Sequence, residues 1–148
     1  MLKVQIRNLQ KKIRFRNKYL EGIIKKSVSV LAHGRAAVEV NLIIVDNTYI
    51  RRINRKYRHM DRVTDVIAFP SGKCPGWPGA SPEGGDIVIS AERAFSQASE
   101  FGHSLKKEMT VLTLHGVLHL FGFDHIKKND EAVMKKKERK ILKCLMLS

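Results

Sequence analysis

Residues 38–45 (VEVNLIIV) constrain the fold more than any other part of the sequence. They are mainly β-branched and apolar, which predicts a strand buried on at least one face. Asp46 follows directly and is a favourable helix N-cap, so we predict a helix from there through about Tyr57. A strand that leads straight into a helix indicates a sheet with helices packed against it.

Hydrophobic periodicity predicts elements on both sides of this unit. Apolar residues that alternate with charged or polar ones over residues 2–7 predict a first strand, and a long amphipathic helix with a basic outer face then ends near His33. Two short strands at 65–69 and 85–89 flank a loop rich in proline and glycine, 71–84, that carries Trp77.

Three more helices complete the pattern. Ser90 and Ser104 are candidate N-caps for the first two, and the last runs from about 129 to 146 with a lysine-rich face. The predicted order is therefore β-α-β-α-β-β-α-α-α. It favours an α/β or α+β fold, in which one small four-stranded mixed sheet is packed with about five helices.

Length and composition favour one ordinary globular unit. A chain of 148 residues is the size of a typical domain, so we predict a single domain over 1–148. The apolar stretches are far shorter than the ~20 residues that a membrane span needs. The two cysteines, Cys74 and Cys144, have no neighbouring metal-ligand or disulfide pattern. We therefore expect a soluble, cytoplasmic monomer.

The positive charge is concentrated at the two ends of the chain. The net charge is +14, and residues 1–35 hold ten basic residues and one acidic residue, whereas residues 36–126 hold ten of each. Residues 127–148 add eight basic and three acidic residues. Such a field attracts polyanions and makes nucleic acid the leading partner and an anionic membrane surface the second, although a charge run alone is as often a matter of solubility.

Three histidines form the main candidate site. His115 and His119 are four residues apart, which places both imidazoles on one face of a helix. Gly122 can adopt a positive φ and end that helix, so that His125 returns to the same point. An isolated pair of histidines with this spacing more often does not bind a metal, but the third histidine makes a metal site the favoured interpretation. Three neutral imidazoles with one open position indicate a catalytic divalent ion, zinc above others and one per chain.

Gly116 bears on the substrate of such a site. Zinc proteases with this spacing carry a glutamate directly after the first histidine as general base, and this chain has glycine there. Peptide hydrolysis is therefore disfavoured. A metal ion could instead make the water acidic enough to lose its proton to solvent, or the proton could pass to Asp124 or to a phosphate oxygen of the substrate. For Asp124 we favour orienting a histidine or capping a turn over acting as the base.

Basic side chains crowd the helix after Asp46 and the loop that follows. They are Arg51, Arg52, Arg55, Lys56, Arg58 and Arg62. Helical spacing places Arg51, Arg55 and Arg58 on one face. We expect one or two of the six to reach the site, with Arg55 and Arg62 among the candidates for binding substrate, but spacing does not choose the catalytic one.

Residues 115–125 (HGVLHLFGFDH) resemble the signature of the YbeY family, single-domain factors of ribosomal RNA maturation that are described as metal-dependent endoribonucleases. Residues 54–58 with 64–70, and residues 85–87, resemble two further blocks of the family in the same order and separation. The resemblance extends from Leu42 to His125. It implies a metal ion, usually zinc, on the three histidines, and it implies that Arg58 acts in RNA cleavage.

The resemblance also implies a substrate and partners. They are ribosomal RNA and the small ribosomal subunit, in 3′-end maturation of 16S rRNA by a single-strand-specific endoribonuclease and in ribosome quality control. One alternative is a non-catalytic assembly factor that is stabilised by the metal and binds ribosomal RNA. A less favoured alternative is a metalloprotease, against which Gly116 argues.

Overall fold

The computed structural model describes residues 2–31, 38–70, 84–122 and 128–146. The strands in these ranges are β1 (Leu2–Asn8), β2 (Val38–Val45), β3 (Val66–Pro70) and β4 (Gly84–Ser90). The helices are α1 (Tyr19–Leu31), α2 (Asn47–Arg58), α3 (Ala91–Phe101), α4 (Leu105–Leu120) and α5 (Lys128–Met146). The order of elements is the predicted one, and the α+β fold is confirmed.

The strands form one mixed sheet in the order β1-β2-β4-β3. β2 is parallel to both β1 and β4, and β3 is antiparallel to β4; β1 and β3 are the two edge strands of this sheet. The two central strands are covered on both faces, and each contains a continuous apolar run, 42–45 in β2 and 87–89 in β4. β1 is half-covered and keeps the alternation from which it was predicted.

Helices lie on both faces of the sheet. On one face, called the α4 face here, α1, α3 and α4 pack against the larger apolar cluster, which includes Leu42 and Ile87. On the other, the α2 face, α2 packs against Ile43, Val88 and Phe69. α5 lies outside α4, where Ile141 is buried against Leu114 and Leu118. In the described ranges no helix is long and apolar enough to cross a membrane.

The borders of β3 and β4 differ slightly from the predicted ones. β3 includes Pro70, which an edge strand tolerates because, within the described ranges, one side of its backbone has no partner strand. Gly84 was assigned to the loop but begins β4, with a φ of 99°. A Cβ atom there would overlap the carbonyl oxygen of Glu39 on β2, so only glycine permits this approach. The rest of the predicted loop, with Trp77, lies outside the described residues.

Asp86 of β4 is a buried carboxylate on the α2 face. Its side-chain oxygen accepts a hydrogen bond of 2.9 Å from Asn41 Nδ2, and the residue is 1% exposed. Burial raises the pKa of Asp86; the Asn41 hydrogen bond lowers it, and the charge of Glu39 raises it further. The folded protein therefore holds a proton on Asp86 more tightly than the unfolded chain does.

We predict from this pKa that Asp86→Asn changes the pH dependence of stability. A raised folded-state pKa lowers the free energy of unfolding as pH rises through the unfolded value, and the loss is complete above the folded value. Relative to wild type, the variant should therefore gain stability between acid and neutral pH in urea unfolding curves. Asp61→Asn is a matched control with the opposite sign, because the Arg51 hydrogen bond lowers the pKa of Asp61. A gap between Asp86→Asn and wild type that is constant across pH would contradict the prediction.

Candidate metal centre

Helix α4 presents the first two histidines of the motif. Its N-cap is Ser104, as predicted, whose hydroxyl accepts a hydrogen bond from the backbone N–H of Lys107. The helix packs against β3 and β4 and is buried along most of its length. It ends at Leu120, and Gly122 has the predicted positive φ, 90°, with its N–H donating to the carbonyl oxygen of His119.

His115 and His119 are brought together as the helical spacing predicts. Their Nε2 atoms are 3.2 Å apart and their ring centroids 4.8 Å apart. Two nitrogens bound to one tetrahedral zinc at about 2.0–2.1 Å lie about 3.3 Å apart, so this donor pair fits such an ion. Both rings are half-buried at the end of the helix. The arrangement suits an ion that is reachable from solvent on one side.

One predicted ligand and its neighbour remain to be placed. His125, and Asp124 beside it, lie outside the described residues. Within the described ranges, no three side chains of His, Cys, Asp or Glu come together as a metal site. The site with three histidines therefore stays a prediction, with two of its members placed side by side.

Glu138 of α5 is a neighbour of this pair that the sequence analysis missed. Its Oε1 atom lies 3.5 Å from Nδ1 of His115, on the side of the ring away from His119. In the sequence it is one acid in a lysine-rich helix and resembles a solvated charge. The available signal was Ile141, three residues later, because helical spacing places both on the face that packs against α4.

Gly116 has a structural reason to be glycine. A Cβ atom on it would lie 2.6 Å from Cγ2 of Ile87, which is fully buried on β4. The glycine thus lets α4 approach the sheet closely, and position 116 faces the core. Any side chain at this position would begin against β4.

The basic residues of α2 and of the loop after it differ in their contacts. Arg51 donates to Asp61 with an Nε to Oδ1 distance of 2.8 Å, an exposed ion pair that closes the loop after the helix. Arg55, Arg58 and Arg62 are exposed at the end of α2 and in that loop. α2 lies on the face opposite α4, and residues 59–65 lead from it to β3, the edge strand that packs against α4.

Asn54 and Tyr57, near the end of α2 with Arg58, fix the position of this helix end. Asn54 is 1% exposed; its side-chain nitrogen donates to the carbonyl oxygen of Arg62, and its own carbonyl oxygen accepts from the N–H of Met60. Tyr57 stacks edge-on against Phe69 of β3, with centroids 5.7 Å apart. The block that carries Arg58 is thereby anchored to the edge strand. The role of Arg58 in the site stays a prediction.

Two of the remaining histidines have local structural roles. His59 caps α2 with a left-handed φ of 56°, and its N–H donates to the carbonyl oxygen of Asn54. His103 hydrogen-bonds through Nε2 to Glu108, at 2.6 Å, and Glu108 is 4% exposed. Neither had the spacing of a metal ligand in the sequence. His33 lies outside the described residues.

These features define a small α+β domain with paired imidazoles at the end of its central helix. A family model described as "Endoribonuclease YbeY" matches residues 5–146. The chain therefore belongs to the YbeY family of endoribonucleases, as the three sequence blocks indicated.

Individual relatives agree with this membership. Endoribonuclease YbeY of Carboxydothermus hydrogenoformans is 43% identical over 145 residues and covers 97% of each chain. The protein of that name from Caldicellulosiruptor bescii is 39% identical over 99% of each chain. Among solved structures, the solution structure of TM1509 from Thermotoga maritima matches with a TM-score of 0.61 and 27% identity, over 95% of this chain and 86% of that one.

Proposed function

We propose that this chain is a metal-dependent endoribonuclease in which His115, His119 and His125 hold one divalent ion, zinc above others. The main observation that supports the metal ion is the 3.2 Å separation of the Nε2 atoms of His115 and His119 near the end of α4. Relatives that span nearly the whole chain carry the name endoribonuclease. That name supports an RNA phosphodiester as the bond that is cleaved.

The residues divide the chemistry between them. A bound zinc ion supplies Lewis-acid chemistry, polarising a phosphoryl oxygen and making water more acidic. The imidazoles offer neutral Nε2 lone pairs, and Arg58 contributes a planar guanidinium that pairs with the negative charge developing on phosphate. Gly116 supplies no base, so the proton of the attacking water passes to a phosphate oxygen of the substrate, with Asp124 as the less favoured acceptor.

The exposed charge of the described residues supports RNA as the substrate. Basic side chains are exposed along β1 and the segment after it, and again along α5. They are Lys3, Arg7, Lys11, Lys12, Arg14, Arg16 and Lys18, then Lys135, Lys136, Arg139, Lys140 and Lys143. Such residues bind phosphates without reading sequence, and their contribution falls as salt rises. Arg55 and Arg62, also exposed, are the proposed substrate contacts nearer to Arg58.

We further propose precursor 16S ribosomal RNA, cut near its 3′ end in a single-stranded stretch, as the substrate. The small ribosomal subunit is the proposed partner and the cytoplasm the proposed compartment, with the protein acting as a monomer. The metal test is direct: cleavage of precursor small-subunit rRNA should stop on complete chelation and return with zinc. Undiminished cleavage by metal-free protein would refute the proposal.

We predict that Arg58→Ala lowers kcat for RNA cleavage by about 10²–10³-fold, the usual effect of removing one donor to developing oxyanion charge. Zinc content and melting temperature should stay unchanged, because the side chain is exposed and outside the apolar clusters. Arg58→Lys should recover only part of the rate, since lysine cannot pair with phosphate in a bidentate way. Single-turnover cleavage with saturating protein measures the effect.

Arg52→Ala is the matched control for Arg58→Ala. Arg52 is also exposed on α2 but lies on another face of the helix. It should retain near wild-type kcat and show only a smaller salt dependence of RNA binding. Equal losses in the two variants would mean that Arg58 contributes general charge and no specific contact.

A non-catalytic assembly factor for ribosomal RNA is the second candidate. The exposed basic residues at both ends favour it, since they bind RNA whether or not cleavage follows. A protein whose melting temperature collapses on chelation, and which never cleaves rRNA in any metal form, would support this candidate. The close packing of Gly116 on Ile87 weakens the metalloprotease alternative further.

A further inference from the structure

The contact between Glu138 and His115 joins the C-terminal helix to the proposed metal centre. The carboxylate Oε1 lies 3.5 Å from Nδ1 of the imidazole. Glu138 is 19% exposed and His115 is 28% exposed by side chain, so the contact is largely shielded from water. A contact of this kind counts for more than an exposed ion pair, since solvent screens it less.

The atoms involved give this contact a direction. Nδ1 of His115 faces the carboxylate, whereas Nε2 faces His119 at 3.2 Å. A carboxylate accepts hydrogen bonds but does not donate them when ionised, so it favours the neutral tautomer with the proton on Nδ1. That tautomer leaves the lone pair on Nε2, the atom that faces the partner histidine.

The surroundings of Glu138 argue against an ordinary surface charge. It is the one acidic residue in residues 135–143 (KKKERKILK), which contain six basic residues. It shares a helix face with Ile141, which is fully buried against α4. The packing of α5 on α4 through this apolar cluster therefore sets the carboxylate beside the imidazole.

We propose that Glu138 is a positioning residue for the metal centre: it holds His115 in the Nδ1–H tautomer and fixes its ring so that Nε2 can bind the ion. The inference rests on the proposed metal site and adds to it a partner from a helix that carries none of the predicted ligands. Carboxylate partners of this kind raise the basicity of a ligating imidazole, and losing one lowers metal affinity about 10–100-fold.

The competing explanation is that the contact only ties α5 to α4. A purely structural contact between the two helices would affect the stability of the metal-free protein, but it would not change the tautomer of His115 or the zinc affinity. Glu138→Gln separates the two explanations, because an amide oxygen at this position can accept a hydrogen bond from Nδ1 but carries no charge. Glu138→Ala removes the acceptor altogether.

The test uses the full chain with three variants: Glu138→Ala, Glu138→Gln and, as control, Glu100→Gln, an exposed acid on α3. Imidazole nitrogen NMR of the metal-free protein at about pH 8, above the usual histidine pKa, reports the His115 tautomer. Competition with a chromophoric chelator gives the zinc dissociation constant, and thermal melts of the metal-free proteins give the structural contribution.

Wild type and Glu100→Gln should show the Nδ1–H tautomer at His115. Glu138→Ala should lose that preference and bind zinc about 10–100-fold more weakly, with Glu138→Gln recovering most of the affinity. Wild-type zinc affinity in Glu138→Ala, or an unchanged tautomer, would overturn the inference. If wild type binds no zinc, the proposed metal site fails instead, and the tautomer of the metal-free protein still decides whether Glu138 orients His115.

Discussion

Replacing Gly116 by glutamate should prevent folding and should not create the general base of a zinc protease. A Cβ atom added at this position would lie only 2.6 Å from Cγ2 of Ile87, and Ile87 is fully buried. The longer side chain would also bury a carboxylate without a compensating positive charge or hydrogen-bond donor, which costs several kcal/mol. Domains are stable by only about 5–15 kcal/mol, so we expect insoluble or unfolded protein by circular dichroism.

Gly116→Ala is the milder form of this experiment. One methyl group forced against Ile87 should lower the free energy of unfolding by about 1–3 kcal/mol in urea, the usual range for overpacking. In an Ile87→Ala background the same change should have a smaller effect, because the atoms that it meets are gone. Full additivity of the two changes, or a Gly116→Glu protein with near wild-type stability, would show that α4 does not approach β4 as described.

Local signals in the sequence were enough to predict the helix starts. Asp46 accepts a hydrogen bond of 2.9 Å from the N–H of Tyr49, and Ser90 accepts one from the N–H of Arg93. Each cap depends only on residues within one turn, so an analysis of single segments finds it. The pairing of His115 with His119 was predictable for the same reason, since helical spacing alone sets it.

Contacts between distant segments were not predictable in this way. Gly116 was interpreted only through the glutamate that it replaces, because nothing nearby in sequence shows that Ile87 presses against it. Gly84 was assigned to a loop since the approach of Glu39 on a neighbouring strand is a tertiary contact. Glu138 was missed because its partner, His115, lies on another helix. The ion pair between Asp61 and Arg51 was missed as well.

His119→Ala should have the largest effect on the proposed chemistry. Structural zinc sites with four ligands bind with about 10–16 kcal/mol, so one ligand contributes on average about 3–4 kcal/mol, or roughly 10²–10³-fold in affinity. We therefore expect the zinc dissociation constant to rise by at least that factor and cleavage of precursor 16S rRNA to fall to background. The metal-free variant should melt like metal-free wild type, because the His119 side chain is half-exposed at the end of α4.

His59→Asn is the matched control, since it also removes one imidazole and asparagine tolerates the left-handed φ of 56° at this position. It should keep zinc and activity. RNA affinity decides what a loss of cleavage in His119→Ala means. If that variant loses zinc and cleavage but binds RNA with wild-type salt dependence, the histidines serve the chemistry and the basic surfaces serve binding. If it still cleaves at the wild-type rate, the metal centre has no part in the reaction. The proposed mechanism would then be wrong, and the active site would have to lie elsewhere in the chain.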